Sequence, residues 1–256
     1  MCRMLGWSAQ VPCSAQDVLG EDLERLRELS NLHEDGWGAA WYAGDTAPQV
    51  VREAVPAHES SEFLPMLAEH RASIGIVHLR WATGALARCI ENTHPFVRGD
   101  VAFIHNGSIP EFDRLRALVD DDLLRTVEGT TDSELYFLAV LSARRRLDSV
   151  PAAFAAVIKG LEGCRWPSLN AMWTQSDLLV VCAAEQPEYR EPERPEHYFE
   201  LRWDTRDGVT SAWSQGIRDE TASRGTVLPN RHTLAVDRHA GSVRTARLST
   251  HEGSAV

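Results

Sequence analysis

The chain has 256 residues, 43% of them apolar and 25% charged, the balance of an ordinary globular protein long enough to bury a core. A formal net charge of -11 and a pI near 5.4 oppose the positive footprint that phosphate binding requires, which excludes nucleic acid as an expected partner. No charged stretch precedes an apolar one at the start and no later apolar run is long enough to span a bilayer, so the expectation is a soluble, cytoplasmic protein with no membrane partner.

Residues 2–8 read as a strand beginning directly after Met1, which would anchor the terminus in a sheet instead of letting it fray. Val18, Leu19, Leu23, Leu26 and Leu29 recur near helical spacing and predict a helix over Asp17–Leu29. The turn Asp35-Gly-Trp-Gly38 then leads into an apolar strand over Ala39–Ala43. Strands are predicted at 49–55, 73–81 and 101–106, with a short helix near 60–70. The long irregular connection from Thr83 to Pro95 is of the kind that usually serves function.

Beyond Asn106-Gly107 the pattern turns helical, over 111–119, over the amphipathic Asp132–Arg145 and over Val150–Leu161. The last third alternates like β-structure, at 168–174, 177–184, 197–203, 209–214, 232–237 and 242–248. Strands, helices and strands again predict an α+β fold with two packed sheets and helices outside. The segment Glu185–Glu196, with three prolines and five glutamates, reads as an exposed connection and not as a domain boundary. The polar tail after Ser249 completes a chain expected to form one domain over residues 2–256.

Cysteines stand at 2, 13, 89, 164 and 182, an odd and widely spaced set without a Cys-x-x-Cys pair, so neither a disulfide framework nor a zinc ribbon is indicated. Cys2 is the exceptional one, because a small residue after the initiator Met permits its removal. Cys2 would then carry a thiol and a free α-amine together. The amine's reference pKa of about 7.7–8.0 lies close to the thiol's about 8.5, so one residue supplies both nucleophile and base. On position alone, packing against the sheet would be the commoner role for such a cysteine.

Further segments carry donors and charges. In His78-Leu-Arg80-Trp81-Ala-Thr83, Arg80 offers a planar fork to a carboxylate and Thr83 a hydroxyl, although a strand-end arginine more often makes a structural ion pair. In Phe103-Ile-His105-Asn106-Gly107, the Asn amide and the Gly N–H together form an oxyanion hole; alone, Asn-Gly is a turn dipeptide. Gly129-Thr-Thr-Asp132-Ser133-Glu134 has the look of a helix start capped by Thr130 or Thr131, where Asp132 is placed either to cap or to bind an ammonium.

Together these residues resemble the class II glutamine amidotransferase family, the cysteine branch of the N-terminal-nucleophile hydrolases. The resemblance rests on Cys2, Asp35-Gly-Trp-Gly38, His78-x-Arg80-Trp-Ala-Thr83, Glu91-Asn-Thr-His-Pro-Phe96, His105-Asn-Gly107 and Thr131-Asp-Ser-Glu134, in the family's order. It implies a four-layer αββα sandwich of two mainly antiparallel sheets. It also implies Cys2 as nucleophile after loss of Met1, Asn106 and Gly107 as oxyanion donors, Arg80 and Thr83 on the α-carboxylate, Asp132 on the α-ammonium, and Trp81 lining the site. The reaction it implies runs through a γ-glutamyl thioester on a small-molecule γ-glutamyl amide, with no metal and no cofactor.

Two departures matter. Gly84 stands where many fused amidotransferases carry a carboxylate-binding histidine, and Cys2-Arg-Met-Leu-Gly6 is similar to small stand-alone members that remove a γ-glutamyl group in ergothioneine synthesis and glutathione breakdown. The chain also ends where a glutaminase domain would end. Three readings follow: a stand-alone γ-glutamyl amidohydrolase, a glutaminase subunit serving a separate synthetase partner, and a silent γ-glutamyl-ligand-binding regulator. The last predicts loss of a core residue, and none is lost. A metal hydrolase built on His78, His94 and His105 is disfavoured, since these histidines recur in the family's non-metal motifs.

Overall fold

The first strand, β1 (Arg3–Cys13), starts one residue after Cys2 and runs through the centre of a sheet. This computed structural model describes residues 2–44, 47–82, 84, 86–218 and 225–248. Ser14 then caps a helix, exchanging hydrogen bonds with Asp17 in a reciprocal capping box. The helix expected over Asp17–Leu29 is two helices, α1 (Ala15–Leu19) and α2 (Asp22–Leu29), because Gly20 adopts φ 59° and ends the first.

The chain continues through β2 (Trp37–Tyr42), β3 (Gln49–Glu53), α3 (Phe63–Glu69) and β4 (Ala72–Leu79). After a single 3₁₀ turn at Ile90–Asn92 come β5 (Phe96–Arg98) and β6 (Val101–Gly107). Four helices follow: α4 (Phe112–Arg116), α5 (Asp121–Leu124), α6 (Asp132–Arg144) and α7 (Val150–Gly160). The last third holds β7 (Leu169–Thr174), β8 (Leu178–Ala183), β9 (Leu201–Arg206), β10 (Val209–Ser214), β11 (Thr226–Val227), β12 (His232–Asp237) and β13 (Ser242–Arg247). The strand expected at 197–203 begins later, because Tyr198 and Phe199 are buried in a turn in which the Tyr198 N–H bonds the Pro195 carbonyl.

All named strand pairs are antiparallel. One sheet has seven strands in the order β11-β9-β10-β1-β4-β2-β3, and the other six in the order β13-β12-β8-β7-β6-β5. The alternation of a strand's side chains sorts the core into layers. On β1, Leu5 and Trp7 pack with Leu26 and Phe63 beneath α2 and α3, while Met4 packs with Met172 and Leu234 between the sheets. On β6, Phe103 faces Phe137 and Phe154 of α6 and α7, while Ala102 and Ile104 face the other sheet. The result is helix, sheet, sheet, helix, the four-layer arrangement expected from the sequence. Among the described residues, no helix is long and apolar enough to cross a membrane.

Candidate active site

Strand register brings the first residues together. Arg3 pairs with Leu79 across β1 and β4, so Cys2 lies opposite Arg80 one step further along the ladder. The side chain of Cys2 is 7% exposed, and its Sγ accepts the Trp81 N–H at 3.4 Å and faces the Trp81 carbonyl at 3.7 Å. Burial pushes the thiol above its usual range, while the Trp81 hydrogen bond and the guanidinium groups of Arg80 and Arg3 pull it down. The thiolate therefore needs a base close at hand.

The second sheet meets this rim through a histidine. His78 sits two residues before Arg80 and its Nε2 lies 3.1 Å from the His105 carbonyl, which precedes Asn106. A carbonyl only accepts, so Nε2 carries the proton and the ring is neutral, its pKa driven down to about 3 by burial. Since β4 and β6 both end just past this contact, Arg80 and Asn106 emerge at the same edge of the sandwich. His94 packs against His78 at 4.0 Å between ring centroids, the rings tilted by 32°, and is likewise kept neutral by burial.

Asn106 is fully buried, and neither its Oδ1 nor its Nδ2 has a partner among the described residues. Its parity on β6 is that of Ala102 and Ile104, facing the other sheet. Gly107 admits no side chain: a Cβ there would lie 1.8 Å from the Ser168 carbonyl. Arg80, 2% exposed, donates from Nη1 to the Asp35 carbonyl at 3.1 Å, and its Nη2 is buried without a partner among the described residues. Unpaired buried polar atoms cost free energy unless a ligand completes them.

The helix start expected at Gly129–Glu134 gives each residue a task. Thr131 caps α6 by accepting the Glu134 N–H at 3.2 Å, and the Ser133 hydroxyl lies 2.9 Å from His105 Nδ1. Asp132 opens the helix, accepts the Ile109 N–H at 2.5 Å and is 9% exposed. Burial lifts its pKa from 3.8 to about 6, against the hydrogen bonds from Ile109 and Ser133 that pull it down. Glu134 gathers Arg98 Nη2 at 2.8 Å and the Gly129 N–H at 2.8 Å, holding the loop ahead of Asp132.

Of the residues singled out in the sequence, Cys2, Arg80 and Trp81 meet at the end of β4, Asn106 and Gly107 end β6, and Asp132 holds the Ile109 N–H two residues further on; Thr83 and Met1 lie outside the described residues. Sequence reasoning left others without a role. Asp35 accepts the Ala82 N–H at 2.8 Å and pairs with Arg88 at 2.5 Å, fixing the strand exit that carries Trp81. Asn92 accepts the Thr130 N–H at 2.8 Å and ties the long connection to the loop before α6. Both lie in motifs already noted, where a short polar residue beside a turn is the usable signal. Arg194, which covers Trp81, and Tyr198, against which it rests, gave none, being embedded in or next to a stretch that reads only as exposed.

The fold is one that solved class-II aminotransferase and amidotransferase structures share. Residues 1–163 match the family described as glutamine amidotransferases class-II, and the chain belongs to that family. It is 26% identical over 172 residues to a probable glutamine amidotransferase of Saccharomyces cerevisiae, an alignment covering 59% of this chain and 48% of that one. To a glutamine–fructose-6-phosphate aminotransferase (isomerizing) of Caulobacter vibrioides it is 31% identical over 189 residues, 73% of this chain and 29% of the relative. The chain thus spans half or less of the length of these relatives. Among solved structures, a glutamine aminotransferase class-II domain protein from Silicibacter pomeroyi superposes with a TM-score of 0.67 at 19% identity, covering 96% of this chain and 99% of the other. A glutamine phosphoribosylpyrophosphate amidotransferase from B. subtilis gives 0.65 at 14% identity, covering 98% of this chain and 50% of its own. Both share the fold.

Proposed function

We propose that this protein is a cysteine N-terminal-nucleophile amidohydrolase that opens the γ-glutamyl amide of glutamine or of a γ-glutamyl metabolite, with Met1 removed and residues 2–256 forming one domain. The observation that carries the reading is Cys2 Sγ held 3.4 Å from the Trp81 N–H, near Arg80 and Asn106, whose buried polar atoms are unpaired among the described residues. The freed α-amine of Cys2, with a reference pKa of about 7.7–8.0, takes the thiol proton that burial makes hard to lose. Sγ then bonds the γ-carbonyl carbon, and the oxyanion accepts from the Asn106 side-chain amide and the Gly107 N–H. As the C–N bond breaks, the departing nitrogen takes the proton and leaves as ammonia or an amine. Water opens the thioester, which returns the thiol and releases glutamate.

Arg80, with Thr83, holds the α-carboxylate, Asp132 pairs with the α-ammonium, and Trp81 lines the pocket. The two charged groups read the amino-acid end and leave the far side of the amide free to vary. A second reading, a glutaminase whose ammonia passes to a separate synthetase, draws support from the similarity to the longer aminotransferases. Activity that is low alone and rises with a partner distinguishes it.

The deciding experiment is intact-mass spectrometry before and after 6-diazo-5-oxo-norleucine, followed by peptide mapping. The expected result is a chain lacking Met1 that gains one adduct on Cys2 and loses γ-glutamyl amide hydrolysis. An intact Met1 with no adduct overturns the mechanism.

A further inference from the structure

A ladder of cations and rings covers the outer side of the nucleophile. The Arg3 guanidinium lies 4.6 Å from the centroid of Tyr198, Arg194 lies 5.0 Å from that ring, and the same Arg194 lies 4.5 Å from Trp81. Trp81 in turn meets His33 edge-on at 5.5 Å, and its own N–H is the one that reaches Cys2 Sγ. The segment bearing Arg194 is pinned at its far end, where Asn170 Nδ2 donates to the Phe199 carbonyl at 2.6 Å, beside Asn106 in the β6–β7 register. Tyr198 and Phe199 are buried, so Arg194 is held against Trp81 from a fixed base.

Charge around Cys2 is lopsided on this side. Arg3 is 7% exposed, donates from Nη1 to the Cys2 carbonyl at 3.0 Å, and has no carboxylate partner among the described residues; its Nε is buried and unpaired there. Among the described residues Arg194 pairs with one carboxylate, Glu191, which takes its Nε at 2.8 Å and is itself 43% exposed. Among the described residues its two terminal nitrogens carry no hydrogen bond. A pair 20% exposed at Arg194 and 43% exposed at Glu191 is partly open to solvent and can be shared with an incoming anion, and a guanidinium over an indole still has donors to offer one.

We propose that Arg194, seated on Trp81 and Tyr198, forms the leaving-group side of the pocket and selects γ-glutamyl amides whose departing amine carries a carboxylate over glutamine and over amides of neutral amines. This rests on Cys2 as the nucleophile. Arg80 is buried and takes the glutamyl end, which leaves the partly exposed Trp81, where Arg194 sits, to the group on the amide nitrogen. Arg194 and Tyr198 lie beyond residues 1–163, the part of the chain that matches the family, while Trp81 lies within it.

The test compares kcat/KM for γ-glutamylglycine and γ-glutamylmethylamide, which differ at the leaving amine by a carboxylate. Wild type is expected to favour γ-glutamylglycine by about tenfold or more, the scale of one charge-assisted contact. Arg194→Gln brings the ratio to within about twofold of one, whereas Glu191→Gln, which removes the competing carboxylate, raises it; the second variant decides the matter should the first fail to fold. A wild-type ratio near one with both substrates turned over, or a ratio indifferent to both substitutions, overturns the selector alone. Turnover of glutamine but of neither amide overturns the selector alone, and turnover of none of the three overturns the amidohydrolase reading and the selector with it.

Discussion

The carboxylate of Asp35 accepts the backbone N–H of Ala82 at 2.8 Å, and so fixes the exit of β4 at the peptide next to the one whose N–H reaches Cys2 Sγ. The same residue's carbonyl takes Arg80 Nη1, and its other carboxylate oxygen takes Arg88. One side chain therefore sets the position of the thiol's hydrogen-bond donor and of the arginine fork together.

Replacing that side chain separates position from fold. Asp35→Ala removes the acceptor while the backbone bonds from Asp35 N–H to the Arg80 carbonyl and from Arg80 N–H to the Gly36 carbonyl persist. Turnover on a γ-glutamyl amide is expected to fall about tenfold or more, because a misplacement of about 1 Å is costly in a site of this kind. Alkylation of Cys2 by a small neutral reagent should need a higher pH than in wild type, since a loosened Trp81 N–H stabilises the thiolate less. An unshifted alkylation profile would assign Asp35 to fold stability alone.

Asp132 offers a test by pH. Its carboxyl titrates near 3.8 when exposed and near 6 in the folded chain, so the fold retains a proton that the unfolded chain releases between those values. Stability contributed by the protonated form is accordingly lost as pH rises towards 6, and above 6 the buried carboxylate weighs against folding. Asp132→Asn is expected to stabilise the protein at pH 7.5, by up to about 3 kcal/mol, while kcat/KM on γ-glutamyl substrates collapses. For wild type, kcat/KM should decline as pH drops through about 6, where Asp132 loses the charge that pairs with an ammonium. Thermal melts across pH and a kcat/KM profile check both halves.

Asn106 separates stability from catalysis in the same way. Its amide is buried without a partner among the described residues, a condition that costs roughly 1–3 kcal/mol until a ligand arrives. Asn106→Ala should lower kcat by about 10²–10³-fold, the usual loss for one oxyanion donor, while Tm stays level or rises. A kcat within threefold of wild type would remove Asn106 from the oxyanion site.

The layered fold was legible because its causes are local. Met4, Leu5 and Trp7 alternate along one strand, and Leu135, Leu138 and Ala139 share one helix, so period alone assigns sheet and helix. What escaped was decided elsewhere. The positive φ of Gly20 splits one periodic stretch into two helices, and Tyr198 and Phe199, which pattern as strand, serve as a buried turn beneath Arg194. The site residues came from motifs, each weak alone and strong in order. The contacts of Asp35 and Arg194 came from tertiary approach, to Ala82 over 47 residues of sequence and to Trp81 over more than a hundred, and no short-range pattern encodes those.

Arg80 closes the set. Its Nη1 is committed to the Asp35 carbonyl and its Nη2 is buried and unpaired among the described residues, so the fork is already aimed and one arm is open. A lysine keeps the charge but supplies one compact ammonium, which cannot hold Asp35 and a substrate carboxylate in the same geometry. Arg80→Lys is therefore expected to raise KM for glutamine or a γ-glutamyl amide at least about tenfold with a smaller change in kcat. The comparison substrate is 4-aminobutanamide, which lacks the α-carboxylate: wild type and variant should hydrolyse it at similarly low kcat/KM, because the interaction that separates them is absent. Equal loss on both substrates would instead mean that the substitution disturbs Cys2 or Trp81, and would take the carboxylate contact away from Arg80.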